Sequence, residues 1–260
     1  MALENIKGFL FDIDGVLSIE NELIPGAVAT IQKLKSQQIP CRFVTNTSTK
    51  SLDSLYSKLQ SQGLPIDKNE LFHSPTAAIL HMREQKQRTC YLFVEEDAKK
   101  DFAEFTISEK PEVIVVGYME KGWNSDILNK AFRMVMDGAA LIALHKNKYF
   151  QVQDGLRLDS GAIVAGLEYA TGKEATVVGK PNASFFQLAL QNLELKPEQV
   201  AMIGDDIESD IGGAQNCGLK GILVKTGKYR EDLIRSSWVK PDLVMDSIAC
   251  LFFHVLQELQ

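Results

Sequence analysis

Asp12 and Asp14 stand two positions apart, directly after the apolar run Gly8-Phe9-Leu10-Phe11 and directly before Gly15. Alternate residues of a strand point the same way, so both carboxylates can share one side of a strand end. Two like charges that close repel unless positive charge lies between them. Other apolar runs end in polar residues of matching use: Thr45 and Asn46 after Arg42-Phe43-Val44, Lys180 after Ala175–Gly179, and Asp205 with Asp206 after Val200–Gly204, with Asp210 in the next turn. Phosphoryl transfer through an acyl phosphate needs this set. Asp12 is the expected nucleophile, and Asp14 the group that protonates the leaving oxygen and then deprotonates water. Lys180 supplies a point charge for phosphate or for Asp12, while the Thr45 hydroxyl and backbone N–H groups near Asn46, ahead of a helix, suit phosphate oxygens. An oxygen-only donor set points to Mg2+ rather than zinc, with Asp12, Asp14 through a nearby backbone carbonyl, and Asp205 as ligands, and Asp206 and Asp210 behind them.

Each residue also has an ordinary structural reading. Asp12 and Asp14 can be solvated or cap a turn in which Gly15 takes a positive φ. Thr45 and Asn46 can be loop and cap residues, and Lys180 a surface lysine with Pro181 at the first helical position. Asp205, Asp206, Glu208 and Asp210 can complement a helix dipole. The combination, with acids, threonine, lysine and acids in succession at four strand ends, is what favours chemistry. Ligands in open parallel sheets bind outside the carboxyl ends of the strands.

The elements that must position these residues alternate. Residues 7–12 read as a buried strand. Pro25-Gly26 opens a helix with Val28, Ile31 and Leu34 on its apolar face, and residues 40–46 form the next strand. Leu52, Leu55 and Leu59 give a second helix, capped by Thr47 or Ser48 and stopped by Gly63. The same grammar returns with strands at 175–179, 200–206, 221–227 and 242–247 and helices at 183–193 and 209–218. A terminal stripe of Ile248, Leu251, Phe252, Val255, Leu256 and Leu259 is expected to dock on the sheet. Strand–helix alternation predicts an α/β fold with a parallel sheet and right-handed crossovers. Strands at 89–96, 112–118 and 140–146 and helices at 125–138 and 161–172 form a second α/β unit inserted at 77–175, leaving 1–76 and 176–260 as the first domain. Within the insertion, His145, Lys146 and Lys148 are candidates for substrate contact, with a solvated strand edge as the plainer reading.

The totals narrow the function class. A chain of 260 residues with 45% hydrophobic and 24% charged residues reads as globular. A formal net charge of -6 and the lack of a Lys/Arg run speak against nucleic acid as a partner. The apolar runs are far short of about 20 residues, so no membrane partner is expected. The N-terminus lacks a basic start and a long apolar segment, so the chain is expected in the cytoplasm. Cys41, Cys90, Cys217 and Cys250 are scattered, which suits reduced thiols.

The segments DIDGVL (12–17), VTN (44–46), GKP (179–181) and GDDIESD (204–210) resemble the four motifs of the haloacid dehalogenase superfamily, phosphatase branch. The segment between the threonine and lysine motifs resembles the α/β cap of its subfamily IIA. The resemblance implies a Rossmann-like three-layer core with a parallel sheet plus an inserted α/β cap domain, Mg2+, Asp12 as nucleophile, and a cap that selects a small phosphorylated substrate. It is specific for superfamily and cap type and leaves phosphomonoesters, phosphoamides of lysine or histidine, and pyrophosphate open as substrates. A non-catalytic phospho-ligand binding protein on this fold would be expected to lack a motif residue, and none is missing. Pairing of two chains through exposed cap strands is a further expectation. A receiver-type phosphoacceptor domain uses similar residues in about half this length with no cap, and a dehalogenase needs neither Asp14 nor the acids at 205–210.

Overall fold

The structure is a computed structural model that describes residues 3, 5–152, 155–191 and 193–255. The chain divides into two compact units, one of Met1–Thr45, Tyr56–Phe72 and Lys180–Gln260, the other of Asn46–Leu55 and His73–Gly179. The second interrupts the first in sequence, and the expected insertion at 77–175 lies within its range.

The first unit is built on a six-stranded sheet in the order Leu243–Met245, Lys220–Val224, Val200–Gly204, Gly8–Asp12, Cys41–Thr45, Leu71–His73. The pairs along Gly8–Asp12, Val200–Gly204, Lys220–Val224 and Leu243–Met245, and of Gly8–Asp12 with Cys41–Thr45, are parallel. Strands covered on both faces read as unbroken apolar runs, and every residue of Gly8–Asp12 and of Val200–Gly204 is buried. Phe11 packs between Phe9 and Phe43 at ring-centroid distances of 5.8 and 5.7 Å, so the strand that delivers Asp12 is clamped by an aromatic row. The helix Ala27–Ser36 buries Ala27, Thr30, Ile31 and Leu34. Its preceding Gly26 sits at φ 86°, and a Cβ there would lie 2.6 Å from Ala249 Cβ, so both conformation and space demand glycine.

The second unit has a five-stranded sheet in the order Thr176–Val177, Ala140–Ala143, Val113–Val116, Thr89–Phe93, Thr106–Ile107, with parallel pairings throughout. The helices Ser125–Met136 and Gly161–Thr171 contribute Ala131, Val135, Val164 and Leu167 to a core shared with Phe93 and Ile114. A hairpin, Tyr149–Val152 with Gly155–Leu158, stands as a separate two-stranded sheet.

Several expectations change. The run at 175–179 supplies only Thr176–Val177, and this strand pairs with Ala140–Ala143, so it is an edge of the second sheet and not a strand of the first. Its composition cannot choose between two parallel sheets, because each accepts a short β-branched edge. The second helix begins at Leu52 and is capped by Ser51, whose Oγ accepts from Ser54 N at 3.2 Å, in place of Thr47 or Ser48. Asn182 caps the helix Ala183–Leu190 by accepting from Ser184 N, so Pro181 stands before the helix rather than at its first position. The expected helix at 209–218 is a π turn, Ile207–Gly212, followed by Gly213–Asn216. Of the terminal stripe, Ile248 and Leu251 are fully buried, while Leu256 and Leu259 lie outside the described residues.

Phe11→Ala removes the middle of the aromatic row and is expected to lower unfolding free energy by about 3–5 kcal/mol, as for other buried Phe truncations; urea denaturation followed by far-UV circular dichroism measures it.

Candidate active site

From the strand Gly8–Asp12, the next segments Cys41–Thr45 and Leu71–His73 are laid down on one side, while the chain later returns to place Val200–Gly204 on the other. The direction of winding thus reverses between Gly8–Asp12 and Val200–Gly204, and a crevice opens at the carboxyl ends of such a pair. Those ends are Asp12 and Asp205. Phe11 is in register with Ile203, which brings the residues that follow each strand side by side.

Asp12, Asp205 and Asp210 are buried, and one carboxylate oxygen from each lies within 4.8 Å of the other two. Lys180 enters this group with its Nζ 2.7 Å from Asp12 Oδ1 and 2.7 Å from Asp210 Oδ1. Ile13 N donates to the same Asp12 oxygen at 2.9 Å. Asp210 Oδ2 accepts from Asp206 N at 3.2 Å, so the π turn curls its own acid back on the strand end. Asp205 Oδ2 accepts from Lys228 N at 2.7 Å, whereas Asp205 Oδ1 is buried with no hydrogen-bond partner.

Three glycines leave room for these acids. A Cβ on Gly15, at φ 88°, or on Gly227, at φ 62°, would each lie 2.0 Å from Asp205 Oδ2. A Cβ on Gly204 would lie 2.3 Å from Asp210 Oδ2. Thr226 Oγ1 donates to Gly15 O, which ties the two turns together.

Electrostatics follow from burial. Desolvation raises the Asp12 carboxyl well above the usual range, and Asp210 adds to it against the opposing pull of Lys180. Asp205 is pushed up to about 7, by burial first and then by Asp210, with Lys228 opposing. Lys180 moves upward because Asp12 and Asp210 outweigh its own desolvation. Asp206 is held below its ordinary value although burial works against it, because Lys228 and the Ser209 N–H favour the anion. The centre therefore holds four carboxyl groups against two lysines, and as anions they would outnumber their own counter-charges. Together with the unpartnered Asp205 Oδ1 and an all-oxygen donor set, that excess fits a hard divalent cation.

Asp14 is exposed at the turn, and its carboxylate stands outside the group of three; its Oδ2 is 3.5 Å from Thr45 Oγ1. Asp210, expected behind the ligands, is one of the three. Asn46 belongs to the second unit, where its Nδ2 is 3.4 Å from Asn147 Oδ1 and its carbonyl accepts from Ser74 Oγ. His145 is buried in the same unit, with Nε2 3.2 Å from Ser48 Oγ and Nδ1 3.3 Å from Ser160 Oγ, which corrects the reading of a solvated edge at this position. Lys146 is exposed and pairs with Glu168, and Lys148 is exposed. Sequence reasoning passed over Thr226, Gly227 and Lys228. Thr226 and Gly227 stand two and three residues past the strand Lys220–Val224, within reach of a strand-end search extended beyond the first residue, whereas Asp205 follows Val200–Gly204 directly.

A family model for haloacid dehalogenase-like hydrolases matches residues 9–108, and a second, HAD-hydrolase-like model matches residues 177–251. Haloacid dehalogenase-like hydrolase domain-containing protein 2 of Bos taurus is 43% identical over 98% of this chain and 97% of its own. Phospholysine phosphohistidine inorganic pyrophosphate phosphatase of Homo sapiens is 36% identical over 95% and 93%. Among solved structures, 4-nitrophenylphosphatase of Thermotoga maritima superposes with a TM-score of 0.91 at 26% identity, covering 98% of this chain and 99% of that one. The chain belongs to the haloacid dehalogenase-like hydrolase family, within subfamily IIA, with the Rossmann-like core and inserted α/β unit of that group.

Gly227→Ala forces either a strained left-handed alanine or a displaced Asp205 carboxylate. The expected loss is about 1–3 kcal/mol of stability, read as a lowered thermal midpoint, with Gly63→Ala as a control that has the same sign of φ and nothing within 4 Å of its Cβ.

Proposed function

We propose that this hydrolase is a phosphatase that cleaves small phosphorylated substrates through a phosphoryl group carried on Asp12. The observation that carries the reading is the buried group in which Lys180 bridges Asp12 and Asp210 at 2.7 Å each while Asp205 keeps an unpartnered oxygen. Lys180 Nζ and Ile13 N hold Asp12 Oδ1, which fixes the carboxylate and leaves Oδ2 to attack phosphorus. The exposed Asp14, on the turn two residues on, reaches solvent and serves as the proton carrier, protonating the leaving oxygen and then deprotonating water. Thr45 lies within reach of Asp14 and offers its hydroxyl to a phosphate oxygen. Asp12, Asp205 and Asp210, with the backbone at Asp14, are the residues that would hold a divalent cation, read as Mg2+. When bound, the cation supplies positive charge for a dianionic phosphate facing a carboxylate. Asp206 keeps the π turn in place by accepting from Glu208 N and Ser209 N at 3.0 Å.

The relatives support phosphate chemistry and divide on the leaving group: one is named for nitrophenyl phosphate, another for phosphoamides and pyrophosphate. The first reading is an ester substrate, since Asp14 supplies the acid an alkoxide leaving group needs; a phosphoamide or pyrophosphate is the second. The chain is read as cytoplasmic: no helix among the described residues is long and apolar enough to cross a membrane. Self-association is read at the hairpin, where Leu156 and Leu158 are exposed.

Purified protein is expected to hydrolyse p-nitrophenyl phosphate with Mg2+, and chelation by EDTA to abolish turnover. Asp12→Asn is expected to lose at least about a thousandfold in kcat. Metal-independent turnover, or an active Asp12→Asn, contradicts the mechanism; parallel assays on phospholysine, phosphohistidine and pyrophosphate decide the leaving group.

The raised carboxyls give a pH signature. A folded-state value above the unfolded one means stability present at low pH and lost as pH rises, for Asp205 between the ordinary value 3.8 and about 7. The metal-free protein should therefore weaken from pH 5 to pH 8. Added Mg2+ should raise the thermal midpoint more at pH 8 than at pH 5, as differential scanning fluorimetry would report.

A further inference from the structure

Lys228 is not needed for any step above, and none of the four motifs DIDGVL, VTN, GKP and GDDIESD contains it. Yet it contacts the two acids that follow Val200–Gly204, Asp205 and Asp206, neither of which pairs with Lys180. Its backbone N–H donates to Asp205 Oδ2 at 2.7 Å, and its Nζ reaches Asp206 Oδ2 at 3.3 Å. The stem is partly buried, and the strand Lys220–Val224, the Thr226–Gly15 bond and the close-packed Gly227 fix where the side chain starts.

Two consequences follow from that placement. Adjacent Asp205 and Asp206 are both acids, but only Asp205 keeps an unpartnered, buried oxygen. Asp206 accepts from Glu208 N and Ser209 N through Oδ1 and meets the ammonium through Oδ2. The choice of which acid faces a cation is thus made by Lys228 together with the turn. The second consequence is charge. Asp12, Asp205, Asp206 and Asp210 as anions, against Lys180 and Lys228 as cations, leave two negative charges, which a single divalent ion neutralises. The four acids all act to hold Lys228 protonated, and the attraction is mutual.

We propose that Lys228 is a positioning residue that sets the charge of the acidic centre to accept one divalent cation and keeps Asp206 turned away from it. The proposal rests on the reading of this centre as a divalent-cation site. Its distinguishing mark is the sign: removing a lysine that merely braces the fold weakens ligand binding, whereas removing a counter-charge tightens cation binding. The gain must also grow with the charge of the ion, because the lost repulsion is proportional to it.

The test is Mg2+ binding by isothermal titration calorimetry at low ionic strength, together with Tb3+ binding by sensitised luminescence. It uses full-length wild type, Lys228→Met, Lys228→Arg, Asp206→Asn and the double variant Asp206→Asn/Lys228→Met. Lys228→Met is expected to bind Mg2+ about three- to tenfold tighter and Tb3+ by a larger factor still. Lys228→Arg, which keeps the charge, should stay within about twofold of wild type, and Asp206→Asn, which still caps the turn, should bind Mg2+ about threefold more weakly. Should Lys228→Met fail to fold, the double variant carries the test, since its net charge equals that of wild type and its affinity should return to within about twofold. If wild type binds Mg2+ but loss of Lys228 leaves affinity unchanged or lower in either background, the proposal is overturned and the cation reading stands. If wild type binds neither ion, the cation reading falls and takes the proposal with it.

Discussion

A buried ammonium between two buried carboxylates is the contact on which the rest of the structure depends. Lys180, 2% exposed, touches Asp12 and Asp210 at 2.7 Å each. Removing charges from water costs several kcal/mol per ion unless partners are in place. Such a trio persists only if the surrounding backbone delivers all three groups to one point. The parallel sheet does this by ending two neighbouring strands in acids, the π turn by returning Asp210 toward Gly204, and Gly15, Gly204 and Gly227 by presenting no side chain where carboxylate oxygens must lie. The aromatic row behind Asp12 and the buried run Val200–Gly204 hold the strands that make this convergence rigid.

The trio leaves the centre short of positive charge. Asp12 and Asp205 are both driven toward their neutral forms, and Asp205 retains an oxygen with nothing to accept from. On the proposed reading, Asp12, Asp205 and Asp210 would hold a divalent cation, whose positive charge would suit an anionic substrate. Lys180 stands beside Asp12, and Lys228 beside the acids that follow Val200–Gly204.

Much of this is legible in the sequence. Period and run length gave both parallel sheets, since strands buried on both faces are continuous apolar runs. Asp12 and Asp205 stand out in the sequence because one closes and the other directly follows such a run. The errors have physical causes too. Residues 175–179 read as a strand of the first sheet because a two-residue edge strand carries no information about its neighbour. Ser51 was overlooked as a cap because several hydroxyl residues precede the same helix and only backbone geometry chooses among them. Asp210 reads as a distant support in linear sequence, but a π turn shortens that distance. His145 looked like an edge residue because the two serines that surround it, Ser48 and Ser160, are remote in sequence. Lys228 was invisible because its backbone N–H, which any residue except proline possesses, makes its shorter contact.

The central claim is that Asp12, Asp205 and Asp210 enclose one divalent cation with Lys180 as their fixed counter-charge. Anomalous diffraction from crystals soaked in Mn2+ measures this directly. One strong peak bounded by the carboxylates of Asp12 and Asp205, with Lys180 still against Asp12, is the predicted result. A map with no peak there at saturating Mn2+, or with Lys180 displaced to solvent and the ion in its place, would contradict it.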